Sequence, residues 1–386
     1  MLPLPPRVTF EDIIGHERAL NLLRSAITSS RLHHAWIFHG PRGVGKLTAA
    51  LAFAGAILDP TTAPGLAGGL APDPDSPVQR LIAAGTHPDL HIITKELARY
   101  SEDSKVRERK LLTIPKDVID THLLRPATLA PNVRAHGIAG KVFIVDEAEL
   151  LDRSITNATT QNAILKTLEE PPPGTVIILI TSAEDRLLPT IRSRCQRIAF
   201  APLAPADMQA WLKLAKLALP ESHRDWLLSF AEGSPGALLE ALVGNLGRWR
   251  DLLEPLLAKV DAGAYASDLG PTMADLIDQW AEARTEKAKN ASKESANHEA
   301  ARLMFRVLAW HYRSLLREAA ARGSAHVRSD ARGPSPTDRA ERAAAAIDTL
   351  LIAQRELGAN VGLKDMAEDL SIRLAEAMAG AAPASV

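Results

Sequence analysis

The stretch Gly40-Pro41-Arg42-Gly43-Val44-Gly45-Lys46-Leu47-Thr48 holds the residue types of a phosphate-binding loop. In the pattern G-x-x-x-x-G-K-[ST], glycines let successive backbone N–H groups curl around a phosphate. The lysine reaches the outer phosphates and the final hydroxyl holds magnesium. Leu47 stands where that hydroxyl belongs. Thr48 comes one residue late, and a one-residue shift at a helix start rotates a side chain by roughly 100°. A second constellation, Asp146-Glu147-Ala148-Glu149, follows the apolar run VFIV. There an aspartate can orient magnesium while a neighbouring glutamate activates water. The competing reading is a strand end followed by an acidic helix cap, favoured by the helix dipole. The candidate nucleotide site comprises Gly40, Gly43, Gly45, Lys46, Thr48, Asp146 and Glu147, degenerate at Leu47.

Positioning these groups calls for strands that end at the motifs. Ala35 to His39, Val142 to Val145 and Thr175 to Thr181 are short runs, apolar on both faces and bounded by turn or polar residues, as expected of buried parallel strands. Amphipathic helical stretches lie between them, so the expected fold is α/β with a doubly wound parallel sheet and ligands at the strand C-termini. Segment 59–78, rich in Gly, Pro and Ala, reads as a flexible insertion. After Phe200 the pattern turns helical, first to a small lid ending at the turn Gly233-Ser234-Pro235-Gly236. Further helices follow: 298–321, with apolar Leu303, Val307, Trp310 and Leu315; one ending at Leu357 after a break over Gly323 to Thr337; and one from Leu363 to Met378. The expected domains are an α/β core over 1–200, a helical lid over 201–262 and an all-helical bundle over 263–386.

The chain has 386 residues and a formal net charge of −1, so it lacks the basic field of a protein that grips nucleic acid alone. A basic group at Lys105, Arg107, Arg109 and Lys110 reads either as a DNA-backbone track or, more ordinarily, as a solvated face. Cys195 is the one cysteine, which excludes an intrachain disulfide and a multi-cysteine zinc site. The first 20 residues lack a long apolar core and a small-residue cleavage site, and no run of about 18 apolar residues occurs. The expectation is a cytoplasmic protein with no membrane partner.

Downstream, "NAILKTLEEPP" at 162–172 and "LPTIRSRC" at 188–195 make a likeness specific. The chain resembles the clamp-loader branch of the AAA+ ATPases, its bacterial DNA polymerase III members above all. Ile14-Gly15-His16, "LHHAWIFHGPRGVGK", "AAGTHPDLHII" at 83–93 and Gly233-Ser234-Pro235-Gly236-Ala237 carry the likeness further. It implies a P-loop AAA+ core with a small helical lid and an all-helical C-terminal collar domain. It also implies that Arg194, within Ser193-Arg194-Cys195, serves the ATP bound by a neighbouring subunit as a trans arginine finger. A guanidinium suits that task, being permanently charged and forked. The alternatives are a surface ion pair for Arg194 and simple packing for Cys195. Ser182 matches the branch's first sensor position. Gly236 stands where active members carry a phosphate-sensing arginine.

The resemblance implies partners: clamp-loader motor (tau/gamma) and delta subunits, with a sliding clamp and primer-template DNA reached through the complex. No cofactor is expected to be required. The degenerate site can hold ATP or ADP, and no zinc is expected, because 59–78 lacks the four-cysteine module of many relatives. Two other readings stay open: an ATP-hydrolysing motor subunit with a re-set metal site, and a monomeric P-loop kinase, for which the long helical tail has no use.

Overall fold

The computed structural model describes residues 8–29, 32–64, 69–107, 113–151, 159–286, 293–324, 335–357 and 362–380. Five parallel strands form its main sheet: β1 (Ala35–His39), β2 (Leu90–Ile93), β3 (Lys141–Val145), β4 (Thr175–Thr181) and β5 (Gln196–Ala199). Their order is β2-β3-β4-β1-β5. All three runs expected to be strands are strands, and their alternation explains why. On β1, Trp36 and Phe38 enter one core cluster while Ala35 and Ile37 enter the other. β3 and β4 repeat the division, with Val142, Ile144, Ile178 and Ile180 on one face and Phe143, Val145, Ile177 and Leu179 on the opposite face. Both faces are therefore covered, as a parallel sheet requires.

Helix α1 (Glu17–Thr28) and helix α2 (Lys46–Leu58) flank β1 in the chain. Every residue of α2 from Ala49 to Leu58 is buried, and its run of alanines lets it lie close against neighbouring elements. Beyond it, the reading of 59–78 as flexible is corrected at both ends. The Asp59 carboxylate, 2% exposed, accepts from Thr61 N at 2.9 Å, Thr61 Oγ1 at 2.7 Å, Ser76 Oγ at 2.5 Å and Gln79 Nε2 at 3.1 Å. Ser76 also caps helix α3 (Pro77–Ala83) through Gln79 N. One buried anion thus ties the two ends of the insertion together. Burial alone would raise the Asp59 carboxyl, but these donors outweigh it and hold it below its ordinary range. Asp59→Ala is expected to cost about 2–3 kcal/mol by stranding buried donors, measurable by urea unfolding.

The chain separates into two compact units, 1–219 with 231–237 and 220–230 with 238–386. The first holds the sheet, helix α4 (Thr159–Glu169), the short α5 (Pro189–Arg192) and α6 (Pro205–Leu214). The second is helical. It contains most of α7 (Arg224–Ala231) and α8 (Pro235–Val243), then α9 (Leu246–Asp261), α10 (Leu269–Glu286), α11 (Lys293–Ser324), α12 (Pro336–Glu356) and α13 (Leu363–Ala379). Within it Trp226 stacks on Phe230 at 5.0 Å and meets Trp310 edge-on at 5.6 Å, while Arg306 lies over Phe230 and pairs with Glu240. Leu303 and Val307 are buried as their spacing suggests. The expected break through Thr337 ends earlier, because Ser335 and Asp338 form a capping box that starts α12 at Pro336. No helix among the described residues is long and apolar enough to cross a membrane.

Candidate nucleotide site and the Arg194 surface

The P-loop leaves the C-terminal end of β1 and turns into α2, with Gly40, Gly43 and Gly45 at positive φ. Each carbonyl from residue 40 to 44 has a donor. Lys46 Nζ donates to Gly40 O and Pro41 O at 2.6 Å each, and Ser234 Oγ donates to Arg42 O at 2.9 Å. Gly236 N donates to Gly43 O at 2.9 Å, and His16 Nε2 reaches Val44 O at 2.8 Å. Since a carbonyl only accepts, His16 must carry its proton on Nε2. Its ring also meets Phe200 edge-on at 5.0 Å. The loop's carbonyls are thus all satisfied within the protein, and its glycine-rich, positive-φ backbone is of the kind that can turn N–H groups toward an anion.

Lys46 is only 6% exposed. Burial pulls its ammonium down to about 8, against the opposing pull of Glu149 and Asp146. Leu47 packs against the core cluster that holds Trp36 and Phe53, and Thr48 is half-buried. A partly buried leucine thus stands where a magnesium-binding hydroxyl would be. The loop's backbone fits a phosphate, but the donor set does not fit a magnesium–nucleotide complex held in the ordinary way. Among the described residues, no group of three or more His, Cys, Asp or Glu is placed to hold a metal ion.

The acidic motif divides in a way its sequence does not announce. Burial raises the Asp146 carboxyl, and Asp146 Oδ1 accepts from Glu147 N at 3.0 Å. Glu147 takes φ +50°, a left-handed value uncommon for a side-chain-bearing residue. Its carboxylate meets Lys95 Nζ at 2.8 Å and lies 3.7 Å from Arg42. Glu147, the expected water-activating base, is therefore engaged by two cations. Glu149, outside the expected site set, accepts from Ser182 Oγ at 2.5 Å and Ser182 N at 3.2 Å. Burial would raise Glu149, but the Ser182 hydrogen bonds lead the effects that bring it below its ordinary range. Ser182 follows β4, whose Thr181 pairs with His39 of β1, so it stands at the P-loop end of the sheet.

The turn at 233–236 packs directly on the loop. A Cβ on Gly236 would lie 2.7 Å from Gly43 Cα, and one on Gly43 would lie 2.6 Å from Ser234 Oγ. The missing side chain at 236 is thus a packing requirement. Gly236→Arg is expected to destabilise the protein by about 1–3 kcal/mol through overpacking and to yield no magnesium-dependent ATPase. Paired urea titration and phosphate-release measurements check both parts.

Arg194 lies elsewhere. It precedes β5, whose Gln196 pairs in parallel with Trp36 and whose Ala199 pairs with His39. Arg194 is therefore level with the N-terminal edge of the sheet, while the P-loop leaves its C-terminal edge. The length of the four-residue strand β5 lies between those two edges, roughly 13 Å. The side chain is 36% exposed, and its guanidinium contacts Glu169 Oε1 at 2.6 Å and donates to Thr190 O at 2.9 Å. Cys195 packs against the second core cluster, and burial pushes its thiol up to about 12, which makes it unreactive. In the basic group, Arg107 donates to Ser101 O and Glu102 O, so it serves its own loop. Arg109 and Lys110 lie outside the described residues.

A profile of the family described as DNA polymerase III, delta subunit, matches residues 15–204. DNA polymerase III subunit delta' of Bacillus subtilis is 32% identical over 192 residues, which is 50% of this chain and 49% of that protein. Subunit delta' of Pseudomonas aeruginosa is 32% identical over 203 residues, 52% of this chain and 53% of that one. Subunit tau of Bacillus subtilis is 28% identical over 266 residues, 67% of this chain and 41% of that one. The chain spans about half the length of the two delta' relatives.

Proposed function

We propose that the chain is a DNA polymerase III clamp-loader subunit of the delta-prime type, a reading its similarity to such subunits supports, and that it is a largely non-hydrolysing AAA+ member whose Arg194 completes the ATP site of a neighbouring subunit. The observation that carries this reading is the position of Arg194. Partly exposed at the sheet edge opposite its own P-loop, it is placed away from that loop. A guanidinium brought to another subunit's γ-phosphate offsets charge developing there, and such fingers contribute about 10³ to 10⁵ in rate in other nucleotide hydrolases.

The subunit's own site supports the second half of the proposal. Leu47 packs against the core in place of a metal-binding hydroxyl, Gly236 carries no sensor side chain, and Glu147 is held by Lys95 and Arg42. ATP or ADP can rest on the loop without being turned over, and neither zinc nor any other cofactor is required. The proposed partners are tau/gamma-type motor subunits and a delta subunit, with the sliding clamp and primer-template DNA reached through the complex in the cytoplasm. The core, lid and collar division at 1–200, 201–262 and 263–386 belongs to the same proposal, with the collar as the oligomerisation domain.

Purified protein alone tests the idle-site half. Magnesium-dependent ATP hydrolysis is expected at background level and unchanged in Lys46→Ala. Turnover that disappears in Lys46→Ala would instead establish a working motor subunit.

A further inference from the structure

Arg194 is not free on its surface. Its guanidinium is anchored to the Thr190 carbonyl in the short α5 and to the Glu169 carboxylate, with a longer contact to Ser193 Oγ at 3.5 Å. Glu169 is the last residue of α4, and Pro171 and Pro172 prevent the helix from continuing. A carboxylate at that end faces the helix's unpaired carbonyls, the unfavourable end of the dipole for an anion. Arg194 offsets it by direct contact, beside Lys166 in the same last turn.

Resting on the finger reading of Arg194, we infer that Glu169 is a positioning residue that holds this guanidinium aside until a neighbour's triphosphate competes for it. The carboxylate carries one negative charge and is 48% exposed, so the pair is weak enough to open. A triphosphate offers more charge and several acceptors in a site shielded from water, so it wins once the subunits are docked. Before docking, the carboxylate keeps the fork pointed from a fixed place and discourages adventitious anions. The arrangement costs apparent affinity, because only molecules with the finger released can engage nucleotide.

The test is the reconstituted assembly with full-length chains, measured as DNA-stimulated ATPase against ATP concentration. Glu169→Gln removes the competing charge while keeping shape. The half-saturating ATP concentration is expected to fall about two- to five-fold, the range an exposed ion pair supports. The difference should shrink as salt rises, because screening weakens the native pair as well. In an Arg194→Ala background the Glu169→Gln effect should vanish. An unchanged or raised half-saturation in Glu169→Gln, alongside a strong loss in Arg194→Ala, would overturn the role of Glu169 and leave the finger standing. No loss in Arg194→Ala would overturn both. Glu169→Ala, read the same way, guards against an effect peculiar to glutamine.

Discussion

Arg194→Ala is expected to leave folding and assembly intact while reducing hydrolysis at the neighbouring site by about 10³ or more. The two parts of that expectation come from different physics. The side chain is partly exposed and its ion pair with Glu169 is half in water, so truncation should cost stability no more than about 1 kcal/mol. In the assembly the same group would meet charge developing on a phosphate in a dry interface, where its loss is felt almost entirely in the transition state. Single-turnover hydrolysis with DNA and clamp present isolates the affected site, and co-purification of the subunits checks that assembly survives. Arg194→Lys should recover little, since an ammonium lacks the planar fork.

Asp89→Ala is expected to be the most destabilising of the substitutions proposed, by about 3–4 kcal/mol. Asp89 is fully buried. Its carboxylate accepts from Asn132 N, Asn132 Nδ2 and Val133 N at 2.8–3.0 Å, pinning the loop before β3 to the start of β2. Burial would raise its carboxyl, but the backbone donors of Asn132 and Val133 lead the effects that lower it. A carboxyl lowered in the folded state contributes stability that is fully present above about pH 5. That contribution fades as pH falls through the lowered value. Asp89→Asn should not rescue, because an amide turns one acceptor into a donor aimed at N–H groups. Thermal melts between pH 7 and pH 3 should show the mutant less stable than the wild type at neutrality, with the gap closing in acid.

The strands were legible because a parallel strand buried on both faces needs an apolar run, and AWIFH, VFIV and TVIILIT supply one. The P-loop was legible because its glycines and lysine lie within a few residues of one another. What escaped was set by long-range geometry. His16 reaches Val44 across 28 positions, and no local pattern gives that contact. Glu149 rather than Glu147 meets Ser182 because the left-handed turn at Glu147 redirects the acidic run, and a positive φ in a non-glycine residue has no sequence signature. The insertion at 59–78 looked unanchored because its glycines and prolines mark loops, while its anchor is one aspartate at the end of α2 joined to a serine 17 positions on. Gly236 read as a loss until the structure placed it against Gly43, where a side chain has no room.

The central claim is that this chain's guanidinium completes a reaction centre belonging to another subunit. The most direct measurement is the structure of the assembled complex with a transition-state analogue of ATP bound to the neighbour. The account predicts Arg194 nitrogens within hydrogen-bonding distance, about 3 Å, of the γ-phosphate mimic. Arg194 still paired with Glu169 and remote from every bound nucleotide would contradict it.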